Sequence, residues 1–419
     1  MVDGQRSTGN HPASMRILCV NQFYWPDVAA TGQLLQDLCE DLAGRGHAVT
    51  VLAGRAGHAG SENLPRQEVY GGVKIIRRGP AGANRASTMG RLWGYLSFYT
   101  SAFSAMLALP KPDVLFVEST PPLILVGAAV ASRLRGVPLV HVVQDLYPEV
   151  AEVLGALRQK GLIAEALRSL HRWALHRVKG VIVLGRDMAA RVKLTYSVPS
   201  ERITIIPNWA DLDSLRYAQE DVARLKESWG LAGKRVVMYS GNLGRAHLFG
   251  EVLDLAERWR DRTDIVILCV GSGQGWNAVA AARDRRGLSN VLLRPYQDRA
   301  AGRLARLRGR APDHAEARDL GLIVPSKLYG IMAVQRPTVF LGPVTSEVAL
   351  TLSETGAGSV VAPGDVDGLE AALGRYLSDA DEARCAGQAG RDYMEREGDR
   401  RFRTERYGEI FEKAGRGEF

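Results

Sequence analysis

Two short stretches decide how this chain of 419 residues is interpreted: YSGNLGR at Tyr239–Arg245 and VPSKLYG at Val324–Gly330. Each joins an apolar run, typical of a buried strand, to a pattern typical of a helix. Small residues and one cation therefore stand where backbone N–H groups and the positive end of a helix dipole would converge. Because glycine lets the backbone approach phosphate oxygens closely, the combination favours a diphosphate ligand.

The same alternation of apolar strands and helices runs through most of the chain. The strand candidates are 16–21, 48–53, 73–78, 113–118, 138–143, 180–184, 203–206, 235–239, 264–270, 290–293, 338–341 and 359–361. Continuous apolar strands joined by helices are typical of a parallel sheet that helices cover on both faces. The sequence therefore predicts an α/β protein with two doubly wound domains, and with ligand at the carboxyl ends of the strands.

Changes in composition suggest where these domains begin and end. Residues 1–14 are polar, lack the apolar core of a signal peptide and are predicted to be a disordered lead-in. Residues 15–206 should form the first domain and 207–233 a polar connection. Residues 234–379 should form the second domain, followed by charged helices over 380–419 that pack across both domains.

One segment, 298–320, does not follow the rhythm, because it is rich in Arg, Ala and Gly and lacks the expected apolar strand. The sheet could have one strand fewer, or an exposed helical insertion could replace the strand. The segment could also be read in a shifted frame relative to its relatives. The sequence leaves all three explanations open.

Composition restricts the kinds of partner. The net charge of +8 suits an anionic partner such as a phospholipid surface or a sugar phosphate. Nucleic acid is not expected, because zinc-finger, RNA-recognition and basic-zipper patterns are missing from the sequence. The cysteines at 19, 39, 269 and 385 are far apart and form no CxxC pair. Cys19 and Cys269 fall inside predicted strands, which predicts buried reduced thiols rather than metal ligands and fits a reducing cytosol. No run of 18 apolar residues occurs.

Several further motifs carry a family resemblance. They are FYWPD at 23–27, AATGQ at 29–33, VQDLYPE at 143–149, IPNWAD at 206–211, and the stretches 239–247 and 325–337. In this order and spacing, the chain resembles retaining glycosyltransferases of the GT-B fold, family 4. The bacterial polysaccharide group that includes colanic-acid and L-fucosamine transferases is particularly similar. The resemblance implies two Rossmann-like domains facing a cleft, the first on the acceptor side and the second binding the nucleotide-sugar.

The first glycine-rich turn of the second domain is expected to bind the donor. Family members usually place an arginine and a lysine near this turn to clamp the donor diphosphate, whereas this chain has Asn242 and His247 with Arg245 between them. The resemblance implies that Gly241, Asn242 and Gly244 contact the donor and that Arg245 reaches the phosphates. A solvated turn arginine is the plain alternative.

Ser326 and Lys327 form the second expected phosphate contact. A lysine at a helix start is disfavoured by the helix dipole, so its presence there suggests an anion nearby. The family's usual two glutamates, separated by seven residues, are replaced here by Leu322 and Gly330. The polysaccharide group that the chain resembles carries Ser-Lys instead.

Other donor contacts are implied by the resemblance. Gly271 and Gly273 form a turn after a strand, and Tyr296 follows another strand where it could pack on a base or ribose. Glu347 follows Ser346 at a helix start. For Glu347, an acidic first turn behind a hydroxyl cap is an equally good explanation.

The acceptor side is expected to include the first strand-to-helix turn. Thr31 and Gly32 would offer N–H groups to the acceptor or donor phosphate, although Thr31 could simply cap the helix. Gln144 stands where many family members have a histidine that approaches the donor sugar. Asp145 could orient the acceptor hydroxyl or stabilise an oxocarbenium-like centre, and Glu149 is a second carboxylate candidate.

In retaining enzymes of this fold the leaving diphosphate can itself take the acceptor proton. Charge stabilisation by Arg245, Lys327 and the helix ends is therefore expected to matter most, and Asp145 is the third catalytic candidate. Two sequences resemble a DxD metal signature, 211–213 and 365–367, but neither ends an apolar strand. The first is interpreted as a turn and the second as a helix start. A metal-independent reaction without a cofactor is expected, with the nucleotide-sugar as substrate.

Aromatic and basic residues are concentrated between 85 and 111. They include Arg91, Trp93, Tyr95, Phe98, Tyr99 and Phe103. The segment could be a core helix with aromatic packing. The alternative is a surface that rests on anionic lipid and receives a polyprenyl-linked acceptor.

The sequence, with this resemblance, predicts a hexosyltransferase-type enzyme of polysaccharide biosynthesis. It would move a sugar from a UDP- or GDP-sugar to a polyprenyl-linked or glycan acceptor at the cytoplasmic face of the plasma membrane, as a peripheral protein. Two alternatives stay open: a GT-B nucleotide-sugar 2-epimerase, and an inactive family member that still binds nucleotide.

Overall fold

The structure is a computed structural model. It describes residues 14–27, 29–55, 64–80, 88–159, 161–215, 219–242, 249–273, 275–295, 312–314 and 320–419. The chain divides into two compact units. The first contains the described residues up to Val142 together with His176–Val181 and Tyr407–Phe419, and the second contains Val143–Leu175 and Ile182–Arg406. The domain boundaries expected from composition stay predictions.

The first half of the chain alternates strands and helices as expected. Its elements are β1 (Arg16–Val20), α1 (Ala30–Gly44), β2 (Ala48–Gly54), β3 (Gln67–Tyr70), β4 (Val73–Arg78), α2 (Thr88–Ala108), β5 (Val114–Val117), α3 (Ile124–Arg135), β6 (Leu139–Val143), α4 (Glu149–Val153), α5 (Leu162–Leu175), β7 (Gly180–Val183), α6 (Arg186–Tyr196) and β8 (Ile203–Ile205). The strands form one sheet in the order β3-β4-β2-β1-β5-β6-β7-β8. Strand β7 is divided between the two units.

Continuous apolar runs explain the centre of this sheet. Every residue of β5 and β6 is buried, and β1 is buried from Ile17 onward. Strands β1, β2 and β5 pair in parallel, which agrees with a sheet covered on both faces. Strand β3 was not predicted from the sequence; it runs antiparallel to β4 and has mainly exposed residues.

The second half of the chain repeats the strand–helix rhythm. Its elements are α7 (Gln219–Ser228), β9 (Arg235–Asn242), α8 (Gly250–Arg258), β10 (Ile265–Ser272), α9 (Trp276–Arg286), β11 (Val291–Pro295), β12 (Pro312–His314), α10 (Lys327–Ala333), β13 (Thr338–Leu341), α11 (Glu347–Thr355), β14 (Gly358–Val361), α12 (Val366–Ser378), α13 (Ala380–Tyr393) and α14 (Arg400–Arg416). The strands form two parallel sheets with the orders β11-β10-β9 and β12-β13-β14. Placed end to end, the two sheets give the order β11-β10-β9-β12-β13-β14. This is the strand order of a doubly wound nucleotide-binding sheet. The predicted α/β class with parallel sheets is confirmed.

One apolar core connects the two three-stranded sheets. It contains Val237 and Ile267 from the first sheet, Leu341 and Val361 from the second, and Leu373 from helix α12. Burying each such side chain contributes about 1.5–3 kcal/mol relative to leaving it in water. The shared core therefore makes the two sheets one folding unit.

Strand β12 lies inside the segment 298–320, where the sequence predicts no strand. The explanation that the sheet has one strand fewer is therefore wrong. Strand β12 pairs in parallel with β13, and its sequence, Pro-Asp-His, lacks the apolar residues that mark its neighbours. The insertion and the shifted reading frame stay hypotheses.

The cysteines agree with the expectation of free thiols: Cys19, Cys39 and Cys269 are buried and unpaired, and Cys385 is exposed. Burial raises the pKa of Cys269 to about 12, which keeps it a protonated core residue. Among the described residues, no helix has both the length and the apolar character needed to cross a bilayer.

We expect Gly271→Ala to destabilise the protein and Gly374→Ala to stabilise it. Gly271 has φ of +153°, and a Cβ there would press into the Gly241 carbonyl oxygen. Gly374 lies inside helix α12, where a Cβ would meet no atom within 4 Å. Gly271→Ala should lower the unfolding free energy by about 2–4 kcal/mol, and Gly374→Ala should raise it by about 0.5–1 kcal/mol. Thermal denaturation measures both; equal effects at the two glycines would contradict the close strand approach.

Candidate active site

The strands β9, β10 and β11 end at the same edge of their sheet. Gly241 is the register partner of Gly271, and Gly271 is the register partner of Pro295. Ser272 pairs with Asn242, so the residues that directly follow Gly271 and Gly241 are also adjacent. The structure therefore brings the donor candidates Gly241, Asn242 and Gly271 together, with Gly273 two residues beyond Gly271.

This edge presents bare backbone. Gly241 and Gly271 both have positive φ, +147° and +153°, which L side chains rarely adopt. Without side chains at these positions, a ligand can approach the peptide groups directly. The glycine pattern in the sequence thus reflects a real geometric requirement of the strand ends.

Lys327 reaches this edge from helix α10, which precedes strand β13 of the other three-stranded sheet. It is the first residue of α10, and its side-chain methylenes lie directly against the Cα of Gly241. Its Nζ donates a hydrogen bond of 2.7 Å to Tyr239 Oη and lies 4.4 Å from the centre of the Tyr239 ring. The ammonium group is therefore held in place by a hydrogen bond and by cation–π attraction.

Ser326 stands beside Lys327 at this edge. Ser326 precedes α10, and its hydroxyl makes no capping hydrogen bond. Gly244, Arg245, His247 and Tyr296 lie outside the described residues, as does the side chain of Asn242. Their assignment to the donor site stays a prediction.

Asp145 lies one residue after Gln144, just beyond β6. It forms an antiparallel bridge with Ile323, and the N–H of Leu146 donates to Leu322 O at 3.0 Å. The carboxylate is therefore tied, through its backbone, to the segment that leads into Lys327. Asp145 is partly accessible to solvent, yet the surrounding protein raises the pKa of its carboxyl group to about 6 by desolvation. Gln144 itself is buried.

Glu347 is buried at the start of α11 and binds Arg186. Arg186 donates to Oε2 from its backbone N at 2.6 Å and from Nε at 3.1 Å, and it donates to Oε1 from Nη2 at 3.1 Å. The hydroxyl of Ser346 accepts from Ala349 N. The acidic first turn behind a hydroxyl cap is therefore confirmed, and a contact of Glu347 with the donor stays a prediction.

Arg186 and Asp187 were not singled out from the sequence. Asp187 Oδ2 accepts from the N–H of Glu347 at 3.2 Å, so the starts of α6 and α11 exchange backbone-to-carboxylate bonds. Desolvation raises the pKa of Asp187. Gly185 permits this approach, because a Cβ there would lie 2.7 Å from Glu347 Cβ. The signal in the sequence was a Gly-Arg-Asp turn after an apolar strand, as at the other turns.

Glu149 belongs to a buried network. Its Oε1 accepts from Arg168 Nε at 2.9 Å, and both carboxylate oxygens lie within 2.8 Å of Tyr196 Oη. Arg168 also binds Glu152 and Glu165. These bonds hold α4, α5 and α6 together, so the carboxylate of Glu149 already has a structural task. Its contact with an acceptor stays a prediction.

The acceptor candidates Thr31 and Gly32 lie in the first turn of α1. The helix begins at Ala30 and its N-cap residue is Ala29, so the plain alternative that Thr31 caps this helix is wrong. A Cβ on Gly32 would lie 3.1 Å from the Phe23 carbonyl carbon. Glycine therefore lets the helix pack closely against the loop that follows β1.

The two DxD-like sequences have structural roles, as expected. Asp211 accepts from the N–H groups of Asp213 and Ser214 in a turn, and Asp365 caps helix α12 by accepting from Gly368 N. In the part of the chain that the structure describes, no group of three His, Cys, Asp or Glu side chains is arranged to hold a metal ion. Metal independence stays a prediction.

A shallow depression lies beside the Val324–Lys327 segment. Apolar side chains form most of its wall, namely those of Leu320, Ile323, Val324, Pro325, Phe340, Pro343 and Val348. Asp187, Ser346 and Glu347 contribute its polar wall.

Comparison with known proteins shows what the chain is similar to. Residues 30–209 match the family described as "Glycosyl transferase 4-like domain". The chain is 28% identical, over 383 residues, to WcaI of Escherichia coli K12, a protein named as a glycosyl transferase of colanic acid biosynthesis; the match covers 87% of this chain and 92% of WcaI.

Solved structures show the same fold at low identity. Sucrose-phosphate synthase from Thermosynechococcus elongatus superposes with a TM-score of 0.75 at 15% identity, covering 96% of this chain and all of that one. HepE of Anabaena, solved with UDP-glucose, gives a TM-score of 0.66 at 16% identity and covers 94% of this chain and 99% of HepE. The resemblance to GT-B glycosyltransferases of family 4 is confirmed: the chain has the GT-B fold, and its residues 30–209 match the glycosyl transferase 4-like domain family.

Proposed function

We propose that this protein is a retaining glycosyltransferase of cell-surface polysaccharide biosynthesis. It moves a hexose-type sugar from a UDP- or GDP-sugar to a polyprenyl-linked or glycan acceptor. The observation that carries the proposal is the ammonium group of Lys327 held against Gly241 at the glycine edge of β9 and β10. The similarity to WcaI and the UDP-glucose bound by HepE support it.

The donor diphosphate lies across the ends of β9 and β10 in this proposal. Backbone groups at Gly241 and Gly271 approach its oxygens, and Lys327 and Arg245 supply positive charge. Charge grows on the leaving diphosphate as the bond to the sugar breaks, so fixed cations lower the barrier more than they stabilise the bound donor. These two side chains replace the charge that a metal ion supplies in other transferases, and no metal or cofactor is required.

Asp145 acts on the acceptor side of the reaction. With a pKa of about 6 its carboxyl group is mostly ionised at pH 7 and can accept a hydrogen bond from the acceptor hydroxyl. The same negative charge stabilises an oxocarbenium-like sugar. The leaving diphosphate takes the acceptor proton, so Asp145 orients the hydroxyl and balances charge.

The acceptor lies at the cytoplasmic face of the plasma membrane, where the enzyme is a peripheral protein. Helix α2 supports this location, because the side chains of Trp93, Tyr95 and Leu96 are exposed while Phe98 is buried. Exposed tryptophan and tyrosine side chains favour the interfacial region of a bilayer. Trp93 and Leu96 lie away from the buried Phe98 on this helix, and in this proposal they face the lipid.

We expect Lys327→Ala to weaken UDP or GDP binding by about tenfold or more, since hydrogen bonds to charged groups contribute about 1.5–3 kcal/mol. The double variant with Arg245→Ala should lose more. Lys234→Ala is the matched control, because Lys234 precedes β9 at the opposite end of the strand and its Nζ binds Thr263 O. Isothermal titration calorimetry measures the affinities; an unchanged affinity in the double variant would rule out the donor site.

Turnover separates the three possible functions. The proposed transferase converts a labelled UDP- or GDP-sugar into a labelled polyprenyl-linked glycan only when acceptor is present. A 2-epimerase would instead change the sugar without acceptor, and an inactive member would bind nucleotide without consuming it. Mass spectrometry of the products over a panel of donors distinguishes these results.

We expect Asp145→Asn to lower transfer activity and raise stability. Because burial raises the folded-state pKa from 3.8 to about 6, ionisation of Asp145 costs stability as pH rises from about 4 to 6, and the full cost is present at pH 7. The amide should increase the unfolding free energy at pH 7 by about 1–3 kcal/mol. It should also remove the rise in kcat/KM centred near pH 6.

Glu149→Gln is the control for this pH experiment. Removing the charge opposite Arg168 should lower the unfolding free energy by about 1–3 kcal/mol at pH 7, whereas Asp145→Asn should raise it. Denaturation at several pH values and initial-rate kinetics measure both variants. A destabilised Asp145→Asn protein with an unaltered pH profile would contradict the role of Asp145.

We expect Trp93→Ser to reduce binding to anionic liposomes about threefold or more, because the exposed indole loses its place in the lipid interface. Leu134→Ser, at another exposed apolar residue of the same unit, is the control. Co-sedimentation measures the bound fraction. Equal binding by the two variants would assign α2 to packing alone.

A further inference from the structure

A short segment, 320–324, leads into helix α10 and its first residue, Lys327. The backbone of this segment pairs with the chain just beyond β6. Asp145 forms an antiparallel bridge with Ile323, and the N–H of Leu146 donates at 3.0 Å to the carbonyl of the residue before Ile323. The segment therefore connects the acceptor-side carboxylate to the donor-side cation, and a displacement of the segment would move both groups.

Asp187 lies against the start of this segment. Gly321 is buried and has φ of +71°, and a Cβ there would lie 2.6 Å from Asp187 O and 3.1 Å from Arg191 Cβ. Such distances leave no room for a side chain, so glycine at this position lets the segment and helix α6 meet. Asp187 and Ile323 also line the same depression.

The carboxylate of Asp187 meets backbone N–H groups from three stretches of the chain. Its Oδ1 accepts from Met188 N at 2.7 Å, and its Oδ2 accepts from Glu347 N at 3.2 Å. Desolvation raises the pKa of Asp187, and the N–H groups of Glu347, Met188 and Gly321 oppose that rise because they favour the ionised form. One carboxylate thus binds α6, the start of α11 and the segment that leads to Lys327.

We propose that Asp187 is a positioning residue of the active site: by holding Gly321, it fixes the segment 320–324 and thereby the places of Asp145 and Lys327. Asp187 itself touches neither donor nor acceptor. The inference rests on the proposed function, because the two groups that it places are the proposed acceptor-side and donor-side groups. A misplacement of about 1 Å in a reacting group is enough to lower a rate about a hundredfold, so such a contact acts on catalysis from a distance.

A purely structural role for Asp187 would be limited to joining α6 to α11 through the N–H of Glu347. Arg186 already joins these two helices, because its guanidinium group binds both Glu347 and Glu354. The close contact of Asp187 with Gly321 has no part in that role. The two roles therefore differ in whether the segment moves when Asp187 is changed.

The first test is Asp187→Asn, which keeps the size of the side chain and removes the charge that attracts the N–H groups. We expect hydrogen–deuterium exchange of the Leu146 N–H to become about tenfold faster or more, because its partner segment loosens. Asp379→Asn is the matched control, since Asp379 caps α13 by accepting from the N–H groups of Asp381 and Glu382. The control should exchange as the wild type does.

Activity and nucleotide binding of the full chain are measured on the same variants. With the donor that the wild type turns over from the panel of UDP- and GDP-sugars, kcat of Asp187→Asn should fall about tenfold or more. Its affinity for UDP should also fall, because Lys327 is held less firmly. Asp379→Asn should keep the wild-type kcat and UDP affinity.

Two glycine substitutions test the contact from the opposite side. Gly321→Ala would press a Cβ against Asp187 O, whereas Gly356→Ala, at a φ of +69°, would meet no atom within 4 Å. Both alanines strain the backbone to a similar degree, so they should lower the melting temperature similarly through that strain. Only Gly321→Ala should also speed exchange at Leu146 and lower kcat.

The results separate this inference from the proposed function. A wild-type kcat in Asp187→Asn, whatever its melting temperature, would overturn the inference, and so would unchanged exchange at Leu146. Equal effects of Gly321→Ala and Gly356→Ala on exchange would do the same. If the wild type transferred no sugar from any donor of the panel, the proposed function would fail instead. Exchange at Leu146 and affinity for UDP would then still show whether Asp187 holds the segment.

Discussion

The close approach of β9 and β10 at their carboxyl ends is the constraint on which the site depends. Gly241 and Gly271 are register partners with positive φ, and a side chain on Gly271 would collide with the Gly241 carbonyl oxygen. The bare backbone leaves room for the methylenes of Lys327, and Tyr239 holds the ammonium group. One lysine thereby joins two three-stranded sheets at the point where strand order reverses, which is where doubly wound folds bind ligands.

Charge balance separates structural carboxylates from a candidate catalytic one. Arg186, whose side chain is partly exposed, binds the buried Glu347, and Arg168 binds Glu149 in more buried surroundings. Removing the Glu149 charge leaves Arg168 without one of its partners, which costs about 1–3 kcal/mol. Asp145 differs, because desolvation dominates its environment and raises its pKa to about 6. A carboxylate whose ionisation costs stability suits a functional role better than a structural one.

Periodicity predicted the strands well wherever they are apolar and buried, as in β1, β5, β6 and β10. It failed at β3, where the residues are mainly exposed, and at β12, whose Pro-Asp-His sequence carries no apolar signal. In both cases pairing with a neighbouring strand decides the conformation. The capping alternative for Thr31 failed because the preceding loop allows α1 to begin at Ala30, with Ala29 as its cap.

By itself, the sequence determined the α/β class, the doubly wound rhythm and the glycine turns, because apolar periodicity and glycine both act locally along the chain. Tertiary structure alone decided that Lys327 meets Gly241, that Glu347 is bound by Arg186, and that α5 turns leucines toward solvent. These contacts join residues far apart in the chain. Their existence depends on how helices and sheets pack, which local sequence patterns do not encode.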